Sequence, residues 1–138
     1  MNDYKQYTFI VLTKRAERML ELSDEITWTD NIWLGVTVEE AKYKNRVELL
    51  RQTGAKKKFI CAELLIGDLG EVDLTAMDWV VVGGESGPNC RPLEEFWVVN
   101  LRNQCKEQNV MFTFKQWGGL NRKEKKRKQF VIAGRILP

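Results

Sequence analysis

The chain has 138 residues, of which 43% are hydrophobic and 30% charged, and its formal net charge is +3. This composition is typical of one globular domain. No apolar run approaches the roughly 18 to 20 residues that cross a membrane, which excludes an integral membrane protein. The segment 1–5 has no signal-peptide pattern, so we expect a cytoplasmic location. The chain has no histidine, and its cysteines at 61, 90 and 105 lack C-x-x-C spacing, so neither a metal site nor a disulfide framework is predicted.

Five short apolar runs, each ending in polar or glycine residues, predict five strands. Buried parallel strands have such near-continuous hydrophobic sequences. The runs are residues 7–13, 31–37, 58–63, 79–84 and 110–116.

Between these runs the apolar residues recur with helical spacing. Helices are predicted over residues 15–22, 39–52 and 92–108, and Thr37 with Glu40 has the spacing of a capping box. The last helix should turn five residues inward, which are Leu93, Phe96, Trp97, Leu101 and Cys105. Residues 64–78 contain Gly67 and Gly70 and predict a loop with at most one helical turn.

This alternation predicts an α/β fold of about five mostly parallel strands. Two architectures remain open. One is a doubly wound sheet with a switch-point crevice, and the other is half of a (β/α) barrel with sequential strand order. A complete eight-unit barrel needs about 200 to 250 residues, so the chain could supply only a segment of one.

The carboxyl ends of parallel strands meet at one edge of a sheet, where open α/β sheets bind their ligands. Glu39, Glu63 and Glu85 each follow a strand, and their carboxylates could converge there and recruit a cation. Alternatively, each could pair with a base such as Lys14, Arg91 or Lys115. The candidate strand-end site comprises Thr13, Lys14, Arg15, Thr37, Glu39, Glu63, Gly83, Gly84, Glu85, Ser86, Arg91, Lys115, Gln116 and Trp117.

Two parts of this site allow both a functional and a structural interpretation. The loop 83–87 (GGESG) could offer backbone N–H groups to a phosphate or carboxylate, or could simply be a tight strand-to-helix turn. Lys115, Gln116 and Trp117 could bind and stack on a base or an adenine-like ligand. The simpler interpretation is that Trp117 packs beneath the turn at residues 118–119.

The positive charge is concentrated at the end of the chain. Residues 121–138 contain seven basic residues and one acidic residue, so they carry +6, and residues 1–120 carry −3. We therefore predict one α/β domain over residues 1–120 and a basic tail over residues 121–138. Basic runs can bind a phosphate backbone, although many are merely solvated. The nucleic-acid-binding candidates are Arg122, Lys123, Lys125, Lys126, Arg127 and Lys128.

The strand ends also carry a family resemblance. The motifs are residues 11–15 (VLTKR), 17–19 (ERM), 33–39 (WLGVTVE), 59–65 (FICAELL), 78–87 (DWVVVGGESG), 91–92 (RP) and 114–118 (FKQWG). Together they resemble the C-terminal half of a family of phage-encoded radical-SAM-like proteins of unassigned function, distantly similar to spore photoproduct lyase. The resemblance spans residues 7–134. Where that family usually has Ser-Ala-Glu-Pro-Leu, this chain has leucine at position 64.

The resemblance implies half of a radical-SAM-type partial barrel. The family's N-terminal half carries a cysteine cluster for a [4Fe-4S] cluster that cleaves S-adenosylmethionine, and this chain has no such cluster. We therefore expect no cofactor and no catalysis by the chain alone. S-adenosylmethionine and a [4Fe-4S] cluster are expected only if a complementary N-terminal half is present. The expected role is a non-catalytic binding, inhibitor or adaptor module for a host protein or nucleic acid. The alternative is the substrate- or cofactor-binding half of a radical-SAM enzyme. A protein partner or self-association should cover the open sheet edges.

Overall fold

The computed structural model describes residues 1–119, and these form one parallel sheet. Its strands are β1 (Phe9–Thr13), β2 (Ile32–Thr37), β3 (Lys57–Glu63), β4 (Trp79–Gly83) and β5 (Met111–Phe114). All neighbouring strands are parallel, and their order across the sheet is sequential, β1-β2-β3-β4-β5. The prediction of an α/β fold with five parallel strands is confirmed, and the sheet is open.

Three helices connect the strands: α1 (Ala16–Leu22), α2 (Asn45–Gln52) and α3 (Glu95–Glu107). Short 3-10 turns lie at Ser23–Glu25 and Ala41–Tyr43. The predicted capping box is wrong, because Thr37 is the last residue of β2 and Glu40 has an extended backbone. The chain stays extended past β2 because Val38 N–H donates to Cys61 O and Ile66 N–H donates to Glu39 O, each at 3.0 Å.

All three helices pack on one face of the sheet. Strand residues such as Leu34, Ile60 and Val80 share a single core with Val47 of α2 and Leu101 of α3. Helices on one face and sequential strand order are the arrangement of a (β/α) barrel segment, whereas a doubly wound sheet carries helices on both faces. Of the two architectures that the sequence left open, the structure therefore has the barrel-segment arrangement and not the doubly wound one.

The inward face of α3 differs from its prediction at Phe96, which is exposed, and at Val98, which was not among the predicted inward residues and is buried. Phe96 is 66% exposed, whereas Val98, Leu101 and Cys105 of the same helix are buried. The helix begins at Glu95, three residues after the predicted start. Phe96 therefore lies in the first turn, on the side of the helix away from the core.

The opposite face of the sheet, which we call the second face, has its own pattern. The strand register aligns these side chains, which are Ile10, Leu12, Trp33, Phe59, Cys61, Trp79, Val81, Met111 and Thr113. Phe59, Cys61 and Val81 at its centre are buried, whereas Ile10 and Leu12 on β1 are 54% and 47% exposed. The second face is therefore largely apolar, with Lys57 at its amino end, and it is most exposed at the β1 edge.

An aromatic cluster occupies the second face toward the amino ends of the strands. The Trp79 ring centroid lies 5.6 Å from that of Phe59 and 6.0 Å from that of Trp33. The Phe59 ring lies across Gly35 of β2, where a Cβ atom would be 2.3 Å from Phe59 Cζ. Glycine at position 35 is therefore required by the close approach of the ring.

The connection over residues 64–78 is a loop without an α-helix, as predicted. Two glutamines of α3 hold it in place. Gln104 Oε1 accepts from Val72 N–H at 2.7 Å, and Gln108 Oε1 accepts from Leu74 N–H at 2.8 Å, while Gln108 Nε2 donates to Val72 O at 3.0 Å. These bonds satisfy the loop backbone in the absence of a neighbouring strand. The peptide bond between Glu63 and Leu64 is cis.

Across residues 1–119, no helix has both the length and the apolar character needed to cross a lipid bilayer.

Candidate functional site

Charged side chains at the ends of all five strands, and in the loops that follow them, form a polar edge at the carboxyl end of the sheet. We call this edge the rim. Its members are Lys14, Glu39, Glu63, Glu85, Arg91 and Lys115. Alternate residues of a strand share a face of the sheet. The rim side chains therefore lie on the second face, beyond its apolar residues and toward the carboxyl ends of the strands.

Glu39 is the most buried carboxylate of the rim and lies between two cations. Its Oε2 accepts from Arg46 Nη1 at 3.1 Å, and its Oε1 pairs with Lys14 Nζ. Arg46 also donates to Thr37 O at 2.8 Å, which fixes α2 against the end of β2. Burial alone would raise the pKa of Glu39, but the hydrogen bond from Lys14 and the charges of Lys14 and Arg46 outweigh it and hold the pKa below its ordinary value. Glu39 is therefore an ionised, engaged carboxylate at neutral pH.

Glu63 and Lys115 form a salt bridge across an intervening strand. Glu63 ends β3 and Lys115 follows β5, so β4 lies between them, yet Lys115 Nζ is 2.9 Å from Glu63 Oε2. Gly83 of β4 is directly beside Glu63 in the register. A Cβ atom at position 83 would lie 3.2 Å from Glu63 Cγ, which is tighter than ordinary contact. The glycine therefore leaves the space that the bridge crosses.

Glu85 is held by Arg91 at the start of the loop that leads to α3. Arg91 donates to the carboxylate from its backbone N–H at 2.9 Å, from Nε at 2.9 Å and from Nη2 at 3.2 Å. The side-chain hydrogen bond from Arg91 lowers the pKa of Glu85, and the same bond raises the pKa of Arg91. The fork of the guanidinium thus pins the turn formed by residues 85–91.

A cavity of about 420 Å³ opens among these groups at the β1 side of the rim. Its lining residues are Lys14, Glu39, Glu40, Tyr43, Glu63, Leu64, Ile66 and Arg91. This volume lies within the range of small-molecule sites, and the lining offers both cations and carboxylates. Thr37, at the end of β2, is not a lining residue, and its buried hydroxyl has no hydrogen-bond partner among residues 1–119. The cavity could therefore accept a small polar molecule that bears both donors and acceptors.

The sequence allowed the three carboxylates either to share a cation or to pair with nearby bases, and the structure shows the pairing. Each carboxylate is paired with a base instead of sharing a cation site, and the bases are the three named from the sequence, Lys14, Lys115 and Arg91. Pairing with these bases is confirmed, but the three pairs are separate and their cations are more than half exposed, so they do not form a buried network. Within residues 1–119, no cluster of histidine, cysteine, aspartate or glutamate has the makings of a metal site.

The glycine loop serves as a turn more than as an anion cradle. Gly84 N–H donates to Gln116 O at 2.8 Å, so the structure itself uses this N–H group. Gln116 Nε2 donates to Ser86 Oγ at 3.1 Å, and a parallel bridge joins Ser86 to Gly119. Gln116 and Ser86 therefore tie the end of β5 to the loop after β4.

Trp117 packs in the core, as the simpler interpretation predicted. It is 8% exposed and its ring centroid lies 4.8 Å from that of Phe114 in an edge-to-face contact. It offers no free ring face for stacking, so the base-stacking interpretation is wrong for this residue. Thr13 Oγ1 accepts from Arg15 N–H at 3.0 Å and shapes the turn into α1, and the Arg15 side chain is exposed.

Several residues at the rim were not among the sequence candidates. Arg46, Glu40, Tyr43, Leu64 and Ile66 contact the site or line its cavity. Arg46 lies 4.1 Å from the centroid of the Tyr43 ring, a cation–π contact that positions its guanidinium toward Glu39. Tyr43 ends the 3-10 turn before α2 and Arg46 lies in the first turn of α2, so their three-residue spacing was the available signal.

The cysteines do not fit an iron–sulfur cluster. Cys61 and Cys105 are buried on different elements, and Cys90 lies in the loop before α3. Burial, and next the charge of Glu63, raise the pKa of Cys61, and burial raises the pKa of Cys105 to about 12. Such thiols resist the ionisation that metal ligation requires.

The basic residues 122–128 lie outside the described residues, as does the predicted tail of which they are part.

The chain is thus an open, all-parallel α/β protein with an ion-paired rim at the carboxyl ends of its strands. It belongs to the family described as "Protein of unknown function (DUF5131)", whose profile matches residues 1–138. Comparison with curated proteins and with solved structures gave no match.

Proposed function

We propose that this chain is a non-catalytic binding module whose second face and β1 edge contact another polypeptide. The observation that carries the proposal is the exposure of Ile10 and Leu12 on an edge strand. Natural edge strands are usually protected by charges, proline or a bulge. Between Phe9 and Thr13 the sequence has no charged residue and no proline.

The chemistry of the rim supports binding over catalysis. A general acid or base needs a pKa near the working pH and a free position toward substrate. The pKa values of Glu39 and Glu85 are lowered, and both carboxylates are engaged by cations. Glu63 is likewise bridged to Lys115. These pairs occupy the carboxylates that a catalytic acid or base would need free.

The resemblance to radical-SAM-like phage proteins adds the biological setting of the proposal. In this setting the chain reuses part of an enzyme scaffold as a cytoplasmic inhibitor or adaptor of a host protein. Nucleic-acid binding through residues 122–128 would be a different function, and we make it an outcome of the test below.

The test is affinity capture with the tagged full-length chain, followed by reconstitution with the purified protein that it recovers. Met111→Lys places a charge on the second face, and Phe96→Lys is the matched control, since Phe96 is an exposed apolar residue of α3. We expect Met111→Lys to reduce the affinity at least tenfold and Phe96→Lys to leave it unchanged. Glu63→Gln and Glu85→Gln should also bind.

Three results would overturn the proposal. One is recovery of nucleic acid alone, with loss of capture after nuclease treatment. Another is a partner whose affinity is the same for Met111→Lys and for the wild type. The third is loss of binding only in Glu63→Gln or Glu85→Gln, which would move the function to the rim.

A second candidate is supported by the cavity at the carboxyl ends of the strands. In barrel-type folds this end carries the active site. On this alternative the chain is the substrate- or cofactor-binding half of a radical-SAM enzyme, and another chain supplies the [4Fe-4S] cluster and its cysteines. S-adenosylmethionine would then bind with the help of that chain. Anaerobic capture of a cysteine-cluster protein, with activity lost in Glu63→Gln, would favour this candidate over the first.

A further inference from the structure

We infer that the β1 edge pairs with the β1 edge of a second copy of this chain, antiparallel and centred on Val11. This inference rests on the proposed function, because it names the polypeptide that covers the β1 edge. The second face would remain available for a different protein.

The backbone of β1 has the alternation that such pairing needs. Phe9 N–H donates to Asn31 O at 2.8 Å, toward β2. In a parallel ladder the alternate residues point their N–H and C=O groups the other way. Ile10 and Leu12 therefore direct their backbone groups outward, along the open edge. A two-fold axis at Val11 sets Ile10 opposite Leu12 of the second copy, so that each satisfies the other's backbone groups.

The side chains agree with the same register. Ile10 and Leu12 are 54% and 47% exposed and point to the second face. Directly opposite residues of an antiparallel pair point to the same face, so Ile10 of one copy would contact Leu12 of the other. Aliphatic cross-strand pairs of this kind stabilise a sheet. The most exposed apolar side chains of the second face are thus the ones that self-pairing buries.

The charges around β1 are compatible with a second copy and oppose a parallel alignment with itself. In the antiparallel register Lys14 comes level with the uncharged Thr8 of the other copy, and Arg15 comes level with Tyr7, which is 60% exposed. Arginine near a tyrosine ring is favourable. Parallel alignment in register would instead stack Lys14 on Lys14 and Arg15 on Arg15.

The first test is the solution mass of the purified full-length chain, measured by light scattering or sedimentation across a dilution series. Ile10→Pro removes the outward N–H and leaves the bonds to β2 intact, a position where an edge strand tolerates proline. Glu95→Pro, at the first residue of α3, is a proline control at a site that also tolerates it. We expect a dimer for the wild type and for Glu95→Pro, and half that mass for a folded Ile10→Pro.

A disulfide test keeps the inference falsifiable if Ile10→Pro does not fold. Val11 would face Val11 of the second copy with about 4.5 Å between Cα atoms, within disulfide reach. Thr13 would lie about 14 Å from Thr13 of the second copy at about 3.4 Å per residue, which is too far. Under mild oxidation Val11→Cys should form a covalent dimer and Thr13→Cys should not.

The outcomes separate this inference from the proposed function. A monomeric wild type, a dimeric Ile10→Pro, or equal cross-linking of Val11→Cys and Thr13→Cys would overturn self-pairing. Capture of a different protein by Ile10→Pro, with dependence on Met111, would leave the proposed function standing while self-pairing fails. If the chain is a dimer and recovers no other protein, self-pairing stands and the proposed function fails.

Discussion

Replacing Gly35 by alanine tests the packing of the second face. The new Cβ would lie 2.3 Å from Cζ of Phe59 and 2.5 Å from Cε1, so the ring must move by more than 1 Å, roughly, to reach ordinary contact distance. Overpacking of this kind costs about 1–3 kcal/mol, and the severity of the overlap favours the upper part. Alanine recovers about 0.5–1 kcal/mol of backbone entropy relative to glycine in a strand. We therefore expect a net loss of about 1–2 kcal/mol in the free energy of unfolding.

The measurement is urea denaturation of Gly35→Ala followed by fluorescence, with Gly67→Ala as the matched control. A Cβ at position 67 would meet only Glu40 Cγ, at 3.8 Å, so the control should be neutral or slightly stabilising. In a double-mutant cycle, Phe59→Leu should recover about 1 kcal/mol of the loss in Gly35→Ala. Wild-type stability of Gly35→Ala, or no coupling to Phe59, would refute the packing that we describe.

Three further predictions concern the rim and the thiols. Arg46→Met should lower the free energy of unfolding by about 1–3 kcal/mol, because Glu39 loses a cation at a buried position. Urea denaturation measures this loss, and an unchanged denaturation midpoint would contradict the prediction. The pKa of Glu39 in the folded chain lies below its ordinary value of 4.5. The ionised carboxylate therefore stabilises the fold fully above pH 4.5, and this effect is lost as the pH falls through the folded pKa. The free energy of unfolding, measured from neutral pH to about pH 3, should fall less steeply in Glu39→Gln than in the wild type. In alkylation of the native chain, Cys90 should react first, and Cys90→Ser should remove this fast phase. Cys105 is buried and its pKa is raised to about 12, so it should react only on unfolding. Fast labelling of Cys105 in the native chain would show that α3 does not shield it.

The strands and the rim were predictable because both follow from local sequence. Each strand is a compact apolar run, and parallel strands bring their carboxyl ends to one edge. The sequence alone therefore offered Lys14, Arg91 and Lys115 as partners of the three glutamates, beside the alternative of a shared cation site. Strand order could not be predicted in this way, since a doubly wound sheet and a barrel segment share the same alternation of strand and helix.

Other contacts left no periodic signal in the sequence. Helical spacing assigned Phe96 to the core, but the helix turns Val98 inward and leaves the Phe96 ring exposed. Arg46 reaches Glu39 from another element, and its role depends on how α2 is oriented. The bonds from Gln104 and Gln108 to the loop are made to backbone groups, which no residue pattern records.

The bridge between Glu63 and Lys115 has a consequence for how this family can vary. The two charges are 52 positions apart in the chain, and they meet across position 83 of the intervening strand, where a Cβ atom would lie 3.2 Å from Glu63 Cγ. A side chain at position 83 would displace the Glu63 side chain by a few tenths of an ångström and so disfavour the bridge, whereas loss of either charge relaxes the need for glycine. In the history of the family these three positions should therefore change together, as one inherited unit drawn from three strand ends.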